Sequence, residues 1–156
     1  MKKIALVLCV VLVCGLFAAC GGDTPQKSIE GTAEEILNQV YEKVPADQLP
    51  MTMVGPIEAD MSEYYLGVSA DRYKEAASGD AMINAVAHSV CVVRANSVDD
   101  VDALKKDIEA GADPRKWICV EAEKVIVDSI GDTVILIMSD AATADAVHEA
   151  FLSLGK

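Results

Sequence analysis

The sequence predicts an α+β fold, a mainly antiparallel sheet of about four strands packed with three helices. Three observations carry this. Three stretches place apolar residues at helical spacing, each behind a capping residue. Several runs are strand-like, and the most apolar of them follows the turn pair Gly131-Asp132. The chain has 156 residues, enough for one real core and too few for two comfortable ones.

The N-terminus reads as a sorting signal. Lys2 and Lys3 precede the apolar residues 4–17, and Leu16-Phe17-Ala18-Ala19-Cys20 closes the run with small residues before a cysteine, followed by Gly21 and Gly22. This is the pattern of a bacterial secretory signal with a lipoprotein-type cleavage site. About 14 apolar residues are fewer than the roughly 20 a spanning helix needs, and an ordinary secretory signal needs no cysteine after its small residues. The expected organisation is a signal peptide over 1–19, a lipidated tether over 20–31 beginning at Cys20, and one α+β domain over 32–156. Residues 21–31 (GGDTPQKSIEG) are polar and glycine-rich, and eleven residues reach at most roughly 35 to 40 Å. The expected location is the extracytoplasmic face of the cell membrane, with the domain held close to it.

Thr32 and Glu35 have capping-box spacing, and Ile36, Leu37, Val40 and Tyr41 fall on one face, so a first helix is expected over 33–43, ended by Pro45 and Pro50. Residues 51–62, with Met51, Met53, Gly55, Pro56, Glu58 and Asp60, carry no clear period; the methionines suit an irregular core edge or an adaptable binding surface. Residues 63–68 (EYYLGV) look like a short strand. Ser69 to Asp71 then look like the start of a helical turn through Ala77, broken by Gly79 and Asp80.

Residues 87–95 (AHSVCVVRA) have strand character, with His88, Val90, Val92 and Arg94 on one face and Ser89, Cys91, Val93 and Ala95 on the other. Ser97 is expected to cap a helix whose stripe is Val98, Val101, Leu104, Lys105 and Ile108, ended by Gly111. Asp113 and Pro114 turn the chain into residues 116–128, read as a long or kinked strand. Residues 133–138 (TVILIM) complete a hairpin, and Ser139 or Asp140 caps a last helix over 141–154 that turns Val147, Ala150, Phe151 and Leu154 inward. The expected order is helix, strand, strand, helix, strand, strand, helix.

This pattern resembles a family of small lipoproteins of Gram-positive, clostridial-type bacteria known as domain of unknown function 4358. The resemblance rests on Tyr65-Leu66-Gly67-Val68 with Tyr73 after it, on residues 89–94 entering the helix at Ser97, and on residues 131–138 leading into the last helix. It covers about residues 33–154 and rests on hydrophobic and turn patterns. It implies a lipid-anchored, extracytoplasmic α+β domain and assigns no catalytic residue.

Composition narrows the chemistry. Without Lys2 and Lys3 the chain keeps 11 basic against 25 acidic residues, a formal charge of −14, which repels phosphates and disfavours nucleic acid. Of five cysteines, Cys9 and Cys14 fall in the signal and Cys20 is the lipid site. Cys91 and Cys119 remain, either as small buried hydrophobes or as a disulfide contributing on the order of 3 to 4 kcal/mol. His88 and Cys91 point to opposite strand faces and His148 has no second histidine at helical spacing, so no metal site, cofactor or cysteine nucleophile is expected. Glu121 and Glu123, on one strand face about 7 Å apart, could do acid-base work at a glycosidic bond, but a solvated face explains them as well. Trp117, the only tryptophan, is flanked by Arg115 and Lys116; it is either a core residue or an exposed binding anchor. The expected role is non-enzymatic binding of a protein, peptide or envelope component. The alternatives are an envelope hydrolase using paired carboxylates and a solute-binding component of a transporter.

Overall fold

The computed structural model describes residues 27–156. The expected signal, Cys20 and most of the tether lie outside the described residues. Among the described residues no helix is long and apolar enough to cross a membrane.

The fold is α+β. Five antiparallel strands, β1 (Thr52–Pro56), β2 (Tyr73–Ala81), β3 (Ser89–Ala95), β4 (Lys124–Ile130) and β5 (Thr133–Ser139), form one sheet in the order β1-β2-β3-β5-β4. Helices α1 (Ala33–Lys43) and α4 (Ala141–Ser153) cover one face, while α2 (Ser62–Leu66) and α3 (Val101–Gly111) lie on the other. Every residue of β5 is buried. That is why TVILIM is a continuous apolar run: a central strand covered on both faces has no solvent side to make polar. The alternation expected for β3 holds, with Val90 and Val92 packing under α1 and α4 and Cys91 and Val93 under α3.

Local chemistry sets the long helices. Thr32 and Glu35 form the reciprocal capping box and α1 runs over the expected residues. Asp140 caps α4, accepting from the Thr143 N–H at 3.0 Å. Burial pushes the Asp140 carboxyl up, but hydrogen bonds from Thr143 and the Ala142 N–H outweigh it and hold it low. Asp140→Ala is therefore expected to lower stability by about 1 kcal/mol, read from the urea midpoint. Ser97 does not cap α3 through its side chain; its hydroxyl donates to the Asp100 carboxylate at 2.7 Å.

Three expected elements are corrected. Residues 63–68 are not a strand: Ser62–Leu66 is the short helix α2, ended by Gly67 in the left-handed region at φ 68°. The buried Ser62 hydroxyl donates to the Val68 carbonyl and accepts from the Tyr73 phenol, so a hydrogen-bonded turn overrides the strand propensity of Tyr64-Tyr65. Residues 73–81 are strand, not helix, although Gly79 and Asp80 look like breakers. Gly79 lies under Tyr41 of α1, whose Oη would stand 2.5 Å from an added Cβ, so that position takes only glycine because a helix crosses it closely. Strand β4 begins at Lys124 rather than at residue 116. Its partner β5 ends at Ser139, opposite Lys124, and beyond it Asp140 starts α4, leaving residues 116–123 nothing to pair with.

Candidate functional site

Strand alternation and two connections assemble a cluster at one end of the sheet. Ser89 and Cys91 point to the α2/α3 face, and Asp80, the cross-strand partner of Ser89, shares it. Helix α2 presents Tyr64 and Tyr65. After α3, Asp113 makes a tight turn, accepting from the Arg115 N–H through its side chain and from the Lys116 N–H through its carbonyl. That turn sends Lys116 inward.

The Lys116 ammonium donates to Ser89 Oγ at 2.8 Å and lies 3.7 Å from Asp80 Oδ1. Three rings surround it, with centroids at 4.5 Å for Tyr65, 5.1 Å for Tyr64 and 5.3 Å for Trp117. Tyr64 and Tyr65 meet edge to face. Only 2% of the Lys116 side chain is exposed. The site is thus an aromatic cage around an ammonium, closed by one carboxylate and one hydroxyl. Burial raises the Tyr65 phenol pKa, Asp80 adds to the rise and a hydrogen bond with Ser78 opposes it. Burial also pushes the Cys91 thiol up to about 12, against the nearby Lys116. Cys91 is therefore a protonated thiol, unsuited to nucleophilic attack.

The expected trio of Arg115, Lys116 and Trp117 is split. Arg115 is exposed, Trp117 is half-buried against the core under α3, and the Lys116 side chain is enclosed. Outside Trp117 the chain opens into a depression of about 650 Å³ lined by Arg115, Ile118, Cys119 and Glu121. Cys91 and Cys119 are both free, one buried and one exposed, so the disulfide alternative is not formed. Glu121 and Glu123 do not share a strand face; both precede β4, and Glu123 accepts from the Ala141 N–H at the start of α4.

His88 sits on the opposite face, fully buried. The Tyr41 hydroxyl donates to the Gly79 carbonyl at 3.0 Å and lies 3.0 Å from His88 Nε2, while Nδ1 is 2.9 Å from Ser139 Oγ. With the phenol proton on Gly79, Nε2 carries the ring proton and Nδ1 accepts from Ser139. Burial lowers the His88 pKa to about 4, against the pull of Asp80 and Asp140. Burial likewise raises the Tyr41 phenol, with Cys91 and Asp80 adding to it. This is a neutral, closed hydrogen-bond chain tying α1 to the sheet. His148 pairs with Asp128 at 2.8 Å, and Lys105 reaches the other Asp128 oxygen. Burial pushes Asp128 up, but its hydrogen bonds from His148, the Ser129 N–H and Lys105 prevail and hold it low. Among the described residues no group of three His, Cys, Asp or Glu side chains converges as a metal site would require.

The sequence flagged Lys116 and Trp117 but not Tyr64, Tyr65, Asp80 or Ser89. The adjacent tyrosines are the one available signal, and in the sequence they look like strand propensity. No family model matches the chain, and no curated protein or solved structure matches it.

Proposed function

We propose that the protein is a lipid-anchored extracytoplasmic binding module, tethered through Cys20 and related to the small lipoproteins it resembles. The observation that supports binding is an exposed apolar tip. Met51 just before β1 and Met53 on it are 73% and 70% exposed, and Met82, Ile83 and Val86 in the β2–β3 connection are exposed beside them. The Met82 N–H donates to the Met51 carbonyl, which joins the two segments. Contiguous exposed apolar side chains mark interaction surfaces, and methionine suits an adaptable one.

The tip also lies at the far end of the sheet from the tether. The chain enters where Arg94, near the C-terminal end of β3, holds the carbonyls of Ile29 and Gly31. The tip adjoins the N-terminal end of β3, about 20 Å away along the strand. On this reading the tether end faces the membrane and the methionines face outward, toward a partner protein, peptide or envelope component. The hydrolase alternative has less behind it. The shifted carboxyls, Asp71, Asp128 and Asp140, all move down, opposite to a general acid.

Two measurements test the proposal. Cys20→Ser is expected to release the protein from the membrane fraction; a variant that stays bound overturns the anchor. A photoreactive residue at Met53 is expected to crosslink a neighbour on intact cells, Met82→Asp to abolish that adduct, and the same probe at Glu109 on α3 to give none. Equal capture from both positions overturns the tip as the interface.

A further inference from the structure

Residues 112–123 run between α3 and β4 without helix or strand. Connections of that length in a small domain are commonly functional. Their backbone hydrogen bonds stay local: Ala112 N–H to the Ile108 carbonyl, Lys116 N–H to Asp113 and Ala122 N–H to the Pro114 carbonyl. Ala112, Trp117 and Ala122 pack against the core, but Ile118 is 98% exposed. The polar attachments of this loop to the rest of the fold are the Lys116 ammonium, on Ser89 and Asp80, and at its far end the Glu123 carboxylate, which accepts from the Ala141 N–H.

Resting on the binding-module reading, we propose that the cage of Tyr64, Tyr65, Asp80 and Ser89 is a recognition site for a lysine side chain of an extended peptide, and that Lys116 fills it as a displaceable plug. Lysine is among the side chains least often enclosed, and enclosing an ammonium gains little net stability even when it is paired. Exchanging one ammonium for another, by contrast, leaves the charge and hydrogen bonding of the cage unchanged. The incoming peptide needs no fresh desolvation of Asp80; it only has to outcompete a tethered lysine.

The surroundings fit such a peptide. Met53 is the cross-strand partner of Asp80, so it lies beside the cage on the same face, available to apolar neighbours of the incoming lysine. Strand β1 is an edge strand. The Met51 carbonyl just before it and the Ile57 N–H just beyond it are bonded toward β2. The N–H groups of Thr52 and Val54 therefore point to the open edge, where a peptide can add as a further strand. The acidic chain, at −12, attracts a cationic segment. A free amine does not suffice, because Lys116 acts from its loop at an effective concentration of about millimolar or more.

Trp117 packs on the Lys116 ammonium and is the only tryptophan, so its emission reports displacement of the loop. The probe is acetyl-Val-Lys-Val-Lys-Val-amide, with its Nε-acetylated form as the uncharged control, titrated into the intact chain. The lysyl peptide is expected to shift Trp117 emission and the acetylated one to leave it unchanged. Lys116→Ala, which empties the cage, is expected to bind about ten-fold tighter, and Asp80→Asn to lose binding. Equal binding of the two peptides, no binding, or no gain in Lys116→Ala overturns the proposal. Independently of any variant's folding, hydrogen exchange of the 112–123 amides in the wild-type chain is expected to rise on binding; unchanged exchange rejects the plug. Crosslinking at Met53 that survives Asp80→Asn leaves the binding module standing and removes the cage. Peptide binding by a Cys20→Ser protein that remains in the membrane fraction does the reverse to the anchor.

Discussion

Gly67→Ala is expected to destabilise the fold by about 2 to 5 kcal/mol, a large share of the 5 to 15 that holds a domain of this size together. Two effects combine. Gly67 closes α2 at φ 68°, and alanine in that region costs about 1 to 2 kcal/mol. Its Cβ would also stand 2.0 Å from the carbonyl carbon of Gly111, so α2 and the end of α3 must separate, at about 1 to 3 kcal/mol or somewhat more. Gly111→Ala separates the two effects. Gly111 has no positive φ and ends α3, where alanine alone would favour the helix by up to about 1 kcal/mol. Its added Cβ would nevertheless stand 2.3 Å from the Gly67 carbonyl oxygen, so this variant too is expected to be destabilised, though less. Urea denaturation of both decides the matter; a stabilised Gly111→Ala means the two backbones do not meet.

Acidification from about pH 7 to about pH 4 is expected to remove about 3 kcal/mol through His88 alone. In the fold its pKa is lowered to about 4 by burial, from an ordinary 6.5. Below about 6.5 the unfolded chain takes up a proton that the folded chain refuses until about 4. The unfolded state binds more protons across this window, so stability falls as pH falls through it. The groups facing the ring are Tyr41 from α1 and Ser139 from β5, with Asp80 and Asp140 at longer range. The carboxyls held low, Asp128 and Asp140, lose their contribution only at lower pH, below the His88 window. His88→Gln should be less stable near pH 7, because it disturbs the Tyr41 and Ser139 bonds, yet nearly flat between about pH 6.5 and 4. A wild-type stability profile flat over that range contradicts a neutral, buried His88.

The legible parts of this fold are those that short-range chemistry determines. Thr32 and Glu35 cap each other across three residues, Asp140 bonds the Thr143 N–H, and Gly131 at φ 57° turns the β4–β5 hairpin. The alternation of residues 88–94 likewise placed His88 and Cys91 on opposite faces before any contact was known. Each of these signals lies within a few residues of the feature it specifies.

The misread parts depend on partners distant in the chain. Ala77 and Gly79 lack strand propensity because α1 packs directly above them, and only small residues leave room for Tyr41, while Ala76 packs on the opposite face. Tyr64-Tyr65 has strand propensity but sits on α2, where Ser62 bonds Val68 and Tyr73, and its rings face Lys116, more than fifty residues later. Lys116 stands out in the sequence only as a neighbour of Trp117, and only the fold brings Asp80 and Ser89 to it.

By itself the sequence determined the α+β class, the three long helices, the strand faces at His88 and Cys91, and the expectation of a lipid-anchored domain. Each follows from residue periodicity, from capping within a turn of helix, or from a contiguous sorting pattern. The tertiary structure alone decided the edge strand β1, the small-residue strand β2, the enclosure of Lys116 and the exposed methionine tip. Those depend on which distant segments lie across from one another, and no local period encodes that. Packing sets it, by burying both faces of β3 and β5 and leaving β1 at the open edge.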